Sequence, residues 1–209
     1  MAASLTRGER QRLRHREEIM AAALELFARQ GYRRTTIVQI AEHAEFAVAT
    51  LYKFFSDKKT LYRAIIREAV QEYERLLLAA LEPPGPPLEK LERYITTKAE
   101  LFVRHTAAAR LYFSQTAGAA YLPPSGFDAE VRAIYERMLS VLEDILREAI
   151  RSGIIREAEP RMLVMALEGL TNALVAPLVE HPETPCSERI AETALSVLLD
   201  GVRISNGDG

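Results

Sequence analysis

Apolar positions recur along this chain at i, i+3, i+4 and i+7 almost from end to end, and alternation of period two never persists, so the pattern predicts helices and no strands. A first helix is expected from about Glu9 to Gln30, with Ile19, Ala22, Ala23, Leu26 and Phe27 inward and Gly31 closing it in a left-handed conformation. Two short patterns follow. Ile37, Ile40, Ala41 and Ala44 make one face; Val48, Leu51 and Phe55 make another. About three residues separate the two, which suits a helix-turn-helix. Thr35 or Thr36 is the expected cap of the second helix, and Ser56 or Asp57 that of a fourth helix reaching about Leu81.

The run Pro83-Pro84-Gly85-Pro86-Pro87 forbids helix and predicts a rigid turn. Further helices are expected at about 88–104, 107–119, 126–152, 160–180 and 187–203. They are broken by 123–126, by Gly153 and by 181–185. The expectation is an all-α protein of about nine helices. A three-helix helix-turn-helix head would be followed by a larger helical body. The boundaries expected are a basic arm and the start of helix one at 1–15, the DNA-binding domain at 16–62 (motif about 36–55), the body at 63–204, and a disordered tail at 205–209.

Charge changes the picture. The net charge of −2 looks unsuited to a nucleic-acid partner until it is divided. Residues 1–62 hold eleven Lys/Arg against seven Asp/Glu, about +4, and the remainder sixteen against twenty-two, about −6. A basic segment on an acidic body points to DNA binding by the head. The outward face of the second motif helix carries Thr50, Tyr52 and Lys53, groups suited to phosphates and base edges, with Val48 beside them for a thymine methyl. Thr36 stands at a helix N-terminus, where hydroxyl, backbone N–H and helix dipole favour phosphate. Arg33 and Arg34 precede it. Arg7, Arg10, Arg12 and Arg14 form a candidate arm for the DNA backbone or minor groove.

In the order Ala23, Leu26, Phe27, Gly31, Tyr32, Thr35, Thr36, Ile40, Ala41, Ala44, Thr50, Leu51, Tyr52, Phe55, Lys58 and Leu61, residues 16–66 resemble the DNA-binding motif of the tetracycline-repressor (TetR) family. Beyond residue 66 the resemblance is architectural. It implies a dimeric, cytoplasmic regulator, most often a repressor, that binds a palindromic operator and is released by a small, often lipophilic effector. It also implies a phosphate contact at Lys58. Three positions depart from the family. Glu45 stands where glycine usually provides positive φ, at about 1 kcal/mol. Ala47 replaces a Ser or Thr cap worth about 1 kcal/mol. Phe54 replaces His or Tyr.

In the body, Met162–Val179 is apolar nearly all round and must be covered on more than one side. With the last helix it predicts a homodimer interface containing Leu170, Leu174, Ile190, Ala194, Val197, Leu198 and Gly201, since two such helices would otherwise expose a large apolar patch. Interrupted by Glu168, Asn172 and Pro177, the stretch reads as buried helix rather than membrane span. Tyr94, Phe102, Tyr112, Phe113, Tyr121, Tyr135 and Met138 are expected core. Gln115, Thr116, Glu168, Thr171 and Asn172 are polar groups on apolar helices, and a ligand can partner such groups. The candidate effector pocket is therefore Phe102, Tyr112, Gln115, Thr116, Tyr135, Met138, Glu168 and Asn172.

No cofactor is expected. The four histidines are scattered, no His/Cys/Asp cluster has metal-ligand spacing, and no phosphate loop or serine elbow appears. An enzyme is thus disfavoured. A non-specific architectural DNA binder remains as an alternative, sharing the basic head but not needing a polar-lined apolar body. The single cysteine, Cys186, excludes an internal disulfide and fits a reducing compartment.

Overall fold

A computed structural model describes residues 5–116, 129–181 and 187–202. Among the described residues all regular structure is helical, and the chain divides into two compact units, Met1–Ala69 and Val70–Gly209. The expected positions Tyr121, Cys186 and 205–209 lie outside the described residues, as do the side chains of Gln115, Thr116 and the end of the last helix from residue 200.

The first unit contains α1 (Arg7–Gln30), α2 (Ile37–His43), α3 (Val48–Tyr52) and the beginning of α4 (Lys58–Leu81). α1 starts two residues earlier than its apolar pattern suggests, because Thr6 and Glu9 form a reciprocal capping box. Its inner face is the expected one: Ile19, Ala22, Ala23, Leu26 and Phe27 are buried. Gly31 ends it at φ 82° and donates its N–H to the Phe27 carbonyl at 2.9 Å. Thr36, not Thr35, caps α2, in a second capping box with Gln39. Thr35 is fully buried, and its hydroxyl donates to the Gly31 carbonyl at 2.9 Å. The α4 cap is Asp57, whose carboxylate accepts the Thr60 N–H at 2.6 Å. That bond holds the Asp57 carboxyl below its ordinary value.

The second unit holds the rest of α4, then α5 (Pro87–Arg104), α6 (Thr106–Thr116), α7 (Ala129–Arg151), α8 (Pro160–Glu180) and α9 (Ser187–Val202). The proline run forms the turn between α4 and α5. Arg93 secures it by donating to the carbonyls of Ala80 at 3.0 Å and Pro83 at 2.8 Å, taking up carbonyls that a helix end leaves unpaired. One apolar core runs through this unit, including Leu91, Ile95, Leu142, Leu146, Leu167, Val175 and Ala194. α8 is the most apolar helix and is long enough to cross a bilayer. Its buried Leu163, Val164, Leu167, Val175 and Val179 account for that composition by packing in the core.

Candidate DNA interface and body core

Within the head, α2 and α3 are joined by a turn whose geometry follows from its hydrogen bonds. The Glu45 N–H donates to the Glu42 carbonyl at 3.1 Å and the Phe46 N–H to the Ala41 carbonyl at 2.9 Å. This double bond set is a Schellman motif, which places the intervening residue in the left-handed region. Glu45 adopts φ 58° there, the one non-glycine residue with positive φ among the described residues. The end of α7 makes the same motif, with Gly153 donating to Ile150 at 3.0 Å and Ile154 to Ala149 at 3.0 Å. Gly153 sits there at φ 71°. One chain thus builds the same turn twice, once with the residue type it favours and once with glutamate.

α3 begins at Ala47 with no side-chain cap, as its methyl group dictates. It is anchored by Leu51 and by Phe55 just beyond its end, both buried. Phe55 lies past the last residue of α3 rather than on it, so the recognition helix is shorter than its apolar pattern suggested. The anchor leaves Tyr52 and Lys53 exposed, Tyr52 at 54%. Thr50 and Val48 are half-buried, and Thr36, Arg33 and Arg34 are exposed.

The basic run near the N-terminus is helical from Arg7 onward, two residues before the expected start of the first helix. Arg7, Arg10 and Arg14 are exposed at i, i+3 and i+7, one helix face. Arg12 and Arg16 occupy another face. The Arg12 guanidinium lies 6.0 Å from the Phe54 ring centroid and that of Arg16 lies 5.5 Å from the Phe55 centroid. Arg16 also pairs with Glu68. Phe54, which lacks a polar group for phosphate, therefore serves as a surface for Arg12.

Lys58, for which the family resemblance implies a phosphate contact, is engaged within the head itself. Its ammonium donates to the Tyr32 carbonyl at 2.8 Å and the Thr35 carbonyl at 2.7 Å, and sits 4.3 Å from the Tyr32 ring centroid. It is half-buried. Two of its three donors are committed to the loop before α2. Nothing in the sequence signalled this, since the partners are backbone carbonyls more than twenty residues away.

In the body, the described members of the expected pocket set, Phe102, Tyr112, Tyr135, Met138, Glu168 and Asn172, stand on α5, α6, α7 and α8. Glu168 is buried and accepts from the Tyr94 hydroxyl at 2.9 Å and from Lys98 Nζ at 2.7 Å. Lys98 was missed in the sequence, though a lysine on the apolar face of α5 was its signal. The Asn172 amide donates to the Tyr112 hydroxyl at 3.2 Å, and Tyr112 hydrogen-bonds Tyr135. Thr171 bonds back to the Leu167 carbonyl at 2.7 Å within its own helix, so it needs no ligand. Burial pushes the phenols of Tyr94 and Tyr135 well above their ordinary value. Met138 is core, and Phe102 stacks on Tyr112 with centroids 5.5 Å apart.

The expected interface residues divide. Ile190, Ala194 and Leu198 are buried inside the body; their side chains build the core beneath α9 rather than a surface upon it. Val197 is 58% exposed. Leu170 and Leu174 are half-buried. Exposed Met162 and Met165 join them on α8, and the sequence reading had not included these two. Gly169 faces open space.

A short exposed helix, held by a tight turn and its own buried anchors, is the arrangement of a helix-turn-helix DNA-binding regulator. The comparisons agree. Residues 19–65 match the family model described as bacterial regulatory proteins, tetR family, and residues 84–176 match the tetracyclin repressor-like C-terminal domain. The chain belongs to the TetR family of transcriptional regulators, with a helix-turn-helix DNA-binding domain. It is 26% identical over 195 residues to the HTH-type transcriptional repressor KstR2 of Mycolicibacterium smegmatis, spanning 92% of this chain and 93% of that protein. It is 27% identical over 196 residues to the HTH-type transcriptional regulator RutR of Escherichia coli K12, spanning 90% of each. The ketosteroid transcriptional regulator KstR2 of Mycobacterium tuberculosis shares its fold, with a TM-score of 0.71 at 20% identity over 90% of this chain and 94% of that one.

Proposed function

We propose that the protein is a dimeric repressor that binds a palindromic operator and is released by a small lipophilic effector held in the body. The observation that carries the DNA-binding part is the exposed pair Tyr52 and Lys53 on a helix anchored from behind by Leu51 and Phe55. Thr36, Arg33 and Arg34 are the phosphate contacts of this reading, with Arg7, Arg10 and Arg14 as a second basic strip. Tyr52, Lys53, Thr50 and Val48 read base edges. Lys58 acts by holding the loop that presents Thr36.

Dimerisation supplies the second head that a palindrome requires. Met162 at 63% and Val197 at 58% exposure are apolar groups whose coverage by a second copy favours that state. Repression is supported by the name of the KstR2 relative, and a lipophilic effector by the steroid connection printed for its solved counterpart. α4 runs without interruption from the head unit into the body unit. It is the covalent route by which a ligand in the body would change the DNA affinity of the heads. Such release requires differential affinity: a shift from 1:99 to 99:1 takes about 5.5 kcal/mol.

Selection of genomic fragments by the purified protein near physiological salt tests this reading. Enrichment of one palindrome with half-sites about one helical turn apart supports it. Diffuse enrichment that disappears with added salt contradicts it and favours an architectural binder.

A further inference from the structure

The inference that follows rests on the effector reading of the body and concerns the chemistry of its ligand. Among the described residues, the buried charged side chains of the body are Lys98 and Glu168, one of each sign. Lys98 and Glu168 form an ion pair at 2.7 Å, with side chains only 6% and 12% exposed. Both carboxylate oxygens are taken, one by Lys98 and one by Tyr94. The remaining faces of the ammonium look onto aromatic rings, with the Tyr94 and Phe102 centroids each 5.9 Å away. An anionic ligand entering beside Lys98 would find its ammonium already paired, and would either stay unpaired there or break the pair and strand Glu168.

Three other polar atoms of the described body are buried without a hydrogen-bond partner; one of them, Arg110 Nε, still faces the Glu180 carboxylate at 3.8 Å. Asn172 Oδ1 is an acceptor on a residue 3% exposed, and the Tyr73 hydroxyl is a donor beside Phe102. Asn172 lies one helical turn from Glu168 on the buried face of α8. Buried polar groups are normally hydrogen-bonded, so each orphan asks for a complementary group. Around them stand rings: Phe102 meets Tyr112 at 5.5 Å, Phe113 at 5.3 Å and Tyr73 at 5.6 Å between centroids.

We propose that the body binds an uncharged, largely aromatic or polycyclic molecule bearing a hydroxyl, and discriminates against a free carboxylate. The ligand hydroxyl donates to Asn172 Oδ1, a ligand oxygen accepts from Tyr73, and the apolar frame lies against Phe102, Tyr112 and Phe113. Glu168 and Lys98 keep the site neutral and are selectivity residues.

Calorimetric titration of the full-length protein with naphthol, methoxynaphthalene and naphthoate near neutral pH tests the assignment. One shared ring system then differs only in donor and charge. Naphthol is expected to bind about tenfold or more tighter than either of the others, the factor one hydrogen bond to a buried acceptor supplies. Asn172→Leu should bring naphthol down to the level of methoxynaphthalene. Glu168→Gln should raise naphthoate relative to naphthol, because Lys98 is then free to take the carboxylate. Should Glu168→Gln fail to fold, Asn172→Leu carries the test by itself. Naphthoate binding the wild type as tightly as naphthol overturns the proposal, and so does absence of binding by all three, which would mean a core filled by water. DNA selection separates the two readings. A protein that selects a palindrome yet ignores these probes keeps its regulator function and loses this site, whereas the reverse pattern keeps the site and loses the regulator.

Discussion

Lys58 donates to the backbone carbonyl of Thr35 at 2.7 Å, fastening the first residue of α4 to the residue that precedes the Thr36 cap of α2. With the second bond to Tyr32, the lysine closes the loop between α1 and α2 from the opposite side of the sequence. Charge-assisted bonds of this kind are about twice as strong as neutral ones.

Lys58→Met is therefore expected to lower stability by about 1–3 kcal/mol, the range for bonds to a charged donor. DNA affinity should fall as a consequence of the loosened Thr36 loop. Thermal unfolding of the purified variant reads the first effect. A variant as stable as wild type but weaker on DNA would return Lys58 to the role of a plain phosphate contact.

Glu45 and Gly153 occupy equivalent places in two Schellman turns, at φ 58° and 71°. Left-handed conformation costs a non-glycine residue about 1–2 kcal/mol, so Glu45→Gly should stabilise the head by roughly 1 kcal/mol and also remove an anion near DNA. Gly153→Glu should destabilise the body by a similar amount. Chemical denaturation of both variants measures the pair, and equal and opposite shifts are the expected outcome. Ala47→Ser should add about 1 kcal/mol independently, by supplying the missing cap of α3.

Lys53→Ala and Tyr52→Phe should leave the unfolding free energy within about 0.5 kcal/mol of wild type, as exposed substitutions do. Operator affinity should drop by about 1–3 kcal/mol for a base contact. Equilibrium binding to the selected operator and to single-base variants of it distinguishes base reading from a phosphate contact, because a phosphate contact weakens all sequences alike.

Val197→Asp places a charge on the exposed rim of α9 and should split the dimer, whereas Ala194→Asp should unfold the body, since Ala194 is buried. Sedimentation velocity beside circular dichroism separates the two outcomes. A Val197→Asp variant that remains dimeric moves the interface away from α9.

Alkaline pH provides a readout of the body core. The phenols of Tyr73, Tyr94 and Tyr135 all have raised values, chiefly through burial. A raised folded value stabilises the protein fully below the unfolded value of 10.0 and that contribution is lost as pH rises past it. The body should therefore lose stability above about pH 10, and the tyrosinate absorbance of these three buried phenols should appear with unfolding rather than ahead of it. Early titration of most tyrosines in the folded protein would contradict the buried network.

Much of this was legible in the sequence because helices announce themselves through spacing. The apolar faces of α1 and α8 and a threonine cap for α2 at Thr35 or Thr36 follow from local rules, and the strained position of Glu45 from the family resemblance. What the sequence concealed depends on distant partners or on orientation. Lys98 and Glu168 are seventy positions apart, and Lys58 bonds to carbonyls that no residue type encodes. α9 has an apolar sector wide enough that one edge, Val197, faces solvent while Ile190, Ala194 and Leu198 turn inward. Periodicity gave that sector, but only packing decides which edge stays open.

The central claim is that the head reads sequence as part of a dimer. Its most direct test is competition binding of the selected palindrome against a scrambled duplex at several salt concentrations, with stoichiometry measured in the same titration. A preference of about a thousandfold or more, with two protomers per palindrome or a multiple of two, is expected of a specific regulator. A preference near one, with affinity that collapses as salt rises and no fixed stoichiometry, would contradict it.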